Sequence, residues 1–224
     1  MNVLIACEES QEVCKAFRAK GHNAFSCDIQ ECSGGHPEWH INGDVLPILN
    51  GYKTPSDLFI TQDGLAHCVP KKWDLIIAHP PCTYLSNAGA RWLWAGQKLN
   101  EERYAKGLEA KEFFMKFWNA DCSRICIENP VPSSVYNLPA CSQFVQPYEY
   151  GHPYSKKTCL WLKGLPPLKP TVIVTDYKPF VSSGNYGKTH DPKYKGASRK
   201  GGSAKSRSKT FSGIANAMAE QWGG

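Results

Sequence analysis

Apolar and polar residues alternate along this chain in blocks with two different periods. Asn2 to Ala6 is a short apolar run rich in β-formers, closed by a polar turn at Glu8–Ser10. Gln11 to Lys20 has helical spacing, with Val13, Cys14, Ala16 and Phe17 on one side and Gly21 as its stop. Asn23 to Cys27 reads as a second strand with Asp28 at its end. A strand–helix–strand unit of about 30 residues opens a doubly wound α/β fold. Asp74 to Ala78 reads as a strand whose Leu75–Ala78 run is continuously apolar, as a parallel strand buried on both faces must be. His79-Pro80-Pro81-Cys82 ends it abruptly, because proline cannot donate to a ladder. Leu99 to Trp118 is predicted helical, with Leu108, Phe113, Phe114 and Phe117 directed to the core. Arg124 to Ile127 is another buried strand, ending in Glu128-Asn129-Pro130. Phe144 to Tyr148 and Thr158 to Leu162 read as an antiparallel pair. Phe211 to Trp222 is a final amphipathic helix, with Ile214, Ala217, Met218 and Trp222 on one face.

The expected architecture is therefore α/β, a mixed, mostly parallel sheet with helices on both faces. Residues 1–162 form its main body. Residues 163–210 are rich in Pro, Gly, Ser and Lys, and 211–224 return as a helix that packs on the body.

Charge divides the chain in the same way. The net charge is +6, from 26 Lys+Arg and 20 Asp+Glu. Residues 178–210 hold nine of the basic residues and one acid, Asp191, so this strip is +8 and the remainder −2. A near-neutral body with one basic strip suits a polyanionic partner. Hydrophobic content of 42% excludes a disordered chain. No apolar run reaches the ~20 residues a membrane helix needs. Met1 to Ala6 lacks a basic leader and turns acidic at Glu8 and Glu9, so a signal peptide is not expected. Ten cysteines, several inside strand-like runs (Cys7, Cys126, Cys159), read as buried free thiols of a reducing cytoplasm rather than a disulfide scaffold.

In an open α/β sheet, ligands bind beyond the carboxyl ends of the strands. Four strand ends here carry reactive or ligand-binding types: Glu8 with Glu9, Asp28, Cys82, and Glu128 with Asn129. Cys82 has the fixed, prolyl-locked position a nucleophilic thiolate needs, although a lone cysteine is more often structural. A carboxylate at the depth of Glu128 is costly unless paired or functional, and burial is expected to raise its pKa. Alone, it reads equally well as a turn carboxylate. Asp28, and Asp44 one strand further on, are of the type that accepts from ribose hydroxyls, or are plain turn residues. Cys27, Cys32, His36 and His40 have metal-like composition, but Cys27 lies inside a strand and the intervening loop holds Pro37 and two glycines, so no metal is expected.

In order, these motifs resemble the cytosine-C5 DNA methyltransferases, as a short member of phage or prokaryotic type. Asp74–Cys82 resembles the strand leading into that family's Pro-Cys loop, and Ile127–Pro130 the strand ending in its Glu-Asn-Val motif. Gln146–Leu162 resembles the segment of its double-arginine motif, and Phe211–Trp222 its C-terminal Gly-Asn motif. The resemblance implies a Rossmann-like methyltransferase fold, S-adenosylmethionine as methyl donor, and DNA with the target base flipped out as partner. It implies catalytic roles for Cys82, Glu128, Asn129 and Lys156. It implies cofactor contacts from Glu8, Glu9, Asp28, Asp44, Pro80 and Asn216. It implies nucleic-acid contacts from Arg91, Lys157, Lys193, Lys195, Arg199 and Lys200.

Three departures stand out. The first turn, Ala6-Cys7-Glu8-Glu9-Ser10, has no glycine, so the cofactor approach must differ. The paired arginines fall at Lys156 and Thr158, with Lys157 as a substitute, and lysine lacks the bidentate fork. The basic strip stands where relatives keep a larger recognition domain, which predicts short or relaxed sequence specificity. Two alternatives stay open: the same Cys–Glu chemistry on RNA or a nucleotide, or with another one-carbon donor, and a binding relative without catalysis. The sequence leaves the oligomeric state open and is compatible with a monomer.

Overall fold

A computed structural model describes residues 1–90, 92–180 and 208–224. Seven strands form one sheet: β1 (Asn2–Ala6), β2 (Asn23–Asp28), β3 (His40–Asn42), β4 (Leu75–Ala78), β5 (Ile125–Pro130), β6 (Gln143–Val145) and β7 (Thr158–Lys163). Their order is β6–β7–β5–β4–β1–β2–β3. Only β7 is reversed; every other neighbouring pair runs parallel. Three main helices, α1 (Glu12–Ala19), α2 (Glu101–Trp118) and α3 (Ser212–Trp222), cover the sheet.

The apolar strands are continuous because both faces are covered. Val3, Ile5, Leu75, Ile77, Cys126 and Leu160 face α1 and α3, where they meet Phe17, Ile214, Met218 and Trp222. Leu4, Ala6, Ile76, Ala78, Ile127 and Trp161 face the opposite way, toward Phe114 and Phe117 of α2. The chain leaves β1 toward β2 and β3 on one side, then crosses to β4 and β5 on the other. This reversal opens a crevice at the carboxyl ends of β1 and β4.

Two local expectations are corrected. Leu108 is 40% exposed rather than in the core. The neighbouring Gly107 takes the inward register of α2, where a Cβ would overlap the Tyr136 ring. Asn100 caps the helix by accepting from the Arg103 backbone N–H (3.0 Å). The strand expected to end at Ile127 also continues through Pro130, because β7 pairs alongside it, with Leu160 opposite Glu128 and Cys159 opposite Asn129.

Residues 163–180, the first part of the basic segment, are tied to the body. Leu168 is buried and exchanges backbone hydrogen bonds with the Gln143 side chain (2.7 and 2.8 Å). The Trp222 indole donates to the Pro166 carbonyl (3.1 Å), and Lys178–Pro179 pairs with Tyr154–Ser155. Among the described residues, no helix is long and apolar enough to cross a membrane.

Candidate active site

The β1–α1 turn achieves left-handed backbone without glycine. Cys7 has φ 59° and Gln11 φ 58°, a conformation that costs a non-glycine residue about 1–2 kcal/mol. Side-chain and backbone bonds over-determine it. Gln11 Nε2 donates to the His36 carbonyl (2.8 Å), and Gln11 Oε1 accepts from the His36 N–H (3.0 Å). The Glu8 N–H donates to the Cys27 carbonyl (3.2 Å).

The buried Glu8 carboxylate caps α1, accepting from the backbone N–H groups of Val13 (2.6 Å) and Cys14 (3.2 Å). Burial pushes its carboxyl up to about 7, against the opposing pull of His79 and of those two N–H groups. A folded-state value raised above the ordinary 4.5 means stability is fully present below pH 4.5 and lost as pH rises through 7. This loss amounts to roughly 3 kcal/mol. Glu8→Gln keeps one acceptor oxygen and cannot ionise. Thermal unfolding at pH 5 and pH 8 should show the variant gaining on wild type at the higher pH. A parallel pH dependence in both proteins would mean that Glu8 does not titrate in this range.

Three further candidates for the cofactor side lie around this turn. Glu9 is buried, and its carbonyl accepts from Ser33 (2.8 Å). Asp28 Oδ1 accepts from the Gln30 N–H (2.9 Å) and Asp44 Oδ1 from the Leu46 N–H (3.0 Å). The Cys7 and Cys27 thiols are pushed up first by burial and then by the charges of Asp28 and Asp44, so both carboxylates flank the carboxyl ends of β1 and β2. Asn216 lies elsewhere, exposed on the outer side of α3.

On the other side of the crevice, the His79 N–H donates to the Ala6 carbonyl (2.9 Å), extending the ladder one residue beyond β4. Pro80 is buried, and Cys82 is half-buried in the turn that follows. Asn129 Nδ2 donates to the Pro80 carbonyl (3.0 Å), clamping the Cys82 turn to the end of β5. Backbone bonds from Ser133 to Leu85 (2.7 Å) and from Asn87 to Val131 (3.2 Å) continue the clamp. The nucleophile candidate and Glu128 thus belong to two strand exits that are fastened together.

Glu128 is buried, and its Oε2 meets His79 Nδ1 (3.2 Å) and accepts from Thr210 Oγ (2.9 Å). Burial alone would raise its carboxyl. The bond to His79, that ring's charge, the charge of Lys156 and the Thr210 bond outweigh burial and hold it below the ordinary range. The expectation of a raised value is corrected accordingly. Burial likewise lowers the His79 imidazole, but the bond and charge of Glu128 and the charge of Glu8 overcome it, against Lys156, and the imidazole is raised. Both directions favour an imidazolium beside a carboxylate.

Lys156 approaches from the turn before β7, where its backbone N–H donates to Gln146 Oε1 (2.9 Å) and its Nζ lies 5.8 Å from the Phe211 ring centre. Lys157 Nζ sits 3.8 Å over the Phe144 ring. Thr210 is delivered by the start of α3, docked where the Gly213 N–H donates to His152 Nε2 (2.9 Å). A Cβ at Gly213 would overlap the Tyr150 carbonyl. Arg91, Lys193, Lys195, Arg199 and Lys200 lie outside the described residues.

The Cys27, Cys32, His36 and His40 positions are engaged separately. His40 Nδ1 bonds Ser26 Oγ and its Nε2 bonds the Gln30 carbonyl (both 2.9 Å). The His36 ring stacks on Trp39 at 3.8 Å, and Cys27 Sγ points to the Gly43 carbonyl. Among the described residues no group of three His, Cys, Asp or Glu is placed to hold a metal ion.

Sequence reasoning missed two members of the site, His79 and Thr210. His79 was legible by the rule that found Glu128, being the first polar residue after an apolar buried strand. Thr210 carries no such signal, because only the docking of α3 brings it to Glu128. No family model matches the chain, and no curated protein matches it either.

Proposed function

We propose that this protein is an S-adenosylmethionine-dependent DNA methyltransferase that modifies cytosine at C5 on a Rossmann-like methyltransferase fold. The observation that carries the reading is the fastening of the prolyl-locked Cys82 turn to the Glu128–Asn129 end of β5 through the Asn129–Pro80 bond, beside the crevice. The parallel strands run β3–β2–β1–β4–β5, the doubly wound order, with its reversal at that crevice.

Cytosine C5 is a poor nucleophile until addition at C6 breaks the ring's aromaticity. The Cys82 thiolate forms the bond to C6 of a base taken out of the stack. Glu128 holds the exocyclic amine and the N3 edge. Asn129 positions the Cys82 turn, and Lys156 balances charge at Glu128. With the methyl group on C5, the C5 proton passes to solvent, its bonding pair re-forms C5=C6, and the Cys82 sulfur leaves C6 as thiolate, which regenerates the enzyme.

The residues across the crevice fit the donor. The left-handed backbone at Cys7 turns the chain away without glycine, Glu8 holds the start of α1 beside it, and Asp28 and Asp44 make this edge acidic, which suits a cationic sulfonium and ribose hydroxyls. Bound there, S-adenosylmethionine supplies an electrophilic methyl group. Lys157 and the basic segment are the DNA contacts in this reading, and the enzyme works in the cytoplasm, that of the host if phage-encoded.

The test is transfer of labelled methyl from S-adenosylmethionine to DNA, with RNA and free cytidine nucleotide in parallel and the product nucleoside identified by mass. The expected product is 5-methylcytosine in DNA alone. Label on RNA or nucleotide, or at the exocyclic nitrogen, would sink the assignment.

A further inference from the structure

The site holds one group that the proposed chemistry has not used. His79 lies one residue beyond the end of β4, between the ends of β1 and β5, with the charges of Glu8 on one side and Glu128 on the other. Its Nδ1 is 3.2 Å from Glu128 Oε2. Its Nε2 is buried and meets no hydrogen-bond partner among the described residues. The charged groups acting on the ring are Glu8 from the β1 turn, Glu128 from β5, and Lys156 from the turn before β7, with Thr210 fixing Glu128 from the start of α3. A histidine used only as scaffold would be satisfied by both ring nitrogens, as His40 is by Ser26 and Gln30.

We propose that His79 stores the proton that Glu128 delivers to N3 of the target cytosine, so that the His79–Glu128 pair is the acid of the reaction. This rests on the cytosine-C5 reading above. Glu128 rests as a carboxylate and has no proton of its own to give. As the Cys82 sulfur bonds to C6, the C5=C6 electron pair shifts to C4–C5 and the C4=N3 pair to N3. N3 takes a proton from Glu128 while Glu128 takes the proton on His79 Nδ1. The imidazolium becomes neutral imidazole, Glu128 is again a carboxylate, and the adduct carries N3–H. When the thiolate is eliminated, N3 returns the proton to the pair.

Two measurements decide it. The first is release of tritium from DNA containing [5-³H]cytosine, without methyl donor, because the adduct takes a solvent proton at C5 and loses tritium on reversal. His79→Asn keeps an amide N–H near the Nδ1 position but cannot store a proton. It should release tritium about 100-fold more slowly, with DNA affinity unchanged and the alkaline limb of the wild-type pH profile displaced. A His79→Asn rate and profile matching wild type would overturn the proposal. The second measurement uses unmutated enzyme, with the His79 ring followed by ¹⁵N NMR. The ring should be charged at pH 7 in the free protein and neutral in the trapped adduct with 5-fluorocytosine DNA. A ring with the same charge in both states overturns the relay even if His79→Asn is slow. If wild type and Cys82→Ala release tritium equally, the cytosine-C5 reading itself fails, a result distinct from either outcome at His79.

Discussion

Cys82→Ala is expected to abolish methyl transfer, lowering it by at least about four orders of magnitude, as loss of a nucleophile does when the partners act as a unit. The same variant should form no denaturant-resistant complex with DNA carrying 5-fluorocytosine. Fluorine at C5 cannot leave as a proton, so the wild-type adduct persists after transfer and runs as a shifted protein band. DNA affinity should be retained, because the thiol contributes a bond only after docking. The nine other thiols supply the control. Cys14, Cys27, Cys126 and Cys159 are buried, and burial raises their thiols far from the thiolate range. Cys68 is exposed, but it lies on a short hairpin strand and not at a main-sheet strand exit. Cys68→Ala should therefore match wild type in both assays. Adduct formation that survives Cys82→Ala would remove the nucleophile assignment.

The two strand exits that carry Cys82 and Glu128 were legible because each follows a continuous apolar run. In Leu75–Ala78 and Ile125–Ile127 the apolar run alone says that both faces are buried, and the next polar side chains must then emerge at the carboxyl edge. The same reasoning misplaced Leu108 and shortened β5, and the causes are long-range. Leu108 yields the inward position because Tyr136 requires a glycine at 107. Glu128 and Asn129 remain in strand because Leu160 and Cys159 pair with them. The hairpin of Leu58–Ile60 and Ala66–Cys68 left little pattern, since Leu58 and Ile60 are exposed while Phe59 turns inward to Phe25 and Trp73 and His67 packs beside it. The glycine-free first turn was legible as a departure but not as a solution. Nothing local predicts left-handed backbone at Cys7 and Gln11, which depends on bonds to His36 and Cys27 far along the chain. The ionisation of Glu128 was read wrongly for a related reason. Burial was visible in the pattern, but the countercharge of His79, and of Lys156 from another exit, belongs to the fold.

Glu128 should prove decisive for stability as well as for chemistry. Glu128→Ala leaves the His79 ring and Lys156 without their carboxylate and the Thr210 hydroxyl without its acceptor. Removing one partner of a buried ion pair destabilises by about 3–5 kcal/mol. The pH dependence identifies the cause. The depressed Glu128 carboxyl contributes stability present above its ordinary 4.5 and lost as pH falls through its folded value. The raised His79 imidazole contributes stability present below its ordinary 6.5 and lost as pH rises through its folded value. The difference between wild type and Glu128→Ala should therefore be largest between pH 4.5 and 6.5 and shrink on both sides. Urea unfolding across pH 4 to 9 measures it, and a double-mutant cycle with His79→Ala isolates the pair. Glu128→Gln separates the two roles. It keeps an acceptor for Thr210 and most of the packing, so it should recover part of the stability. It cannot pass a proton, so methyl transfer should still fall about 10²–10⁴-fold. A flat difference across pH, or a Glu128→Gln enzyme near wild-type rate, would reduce Glu128 to a structural carboxylate.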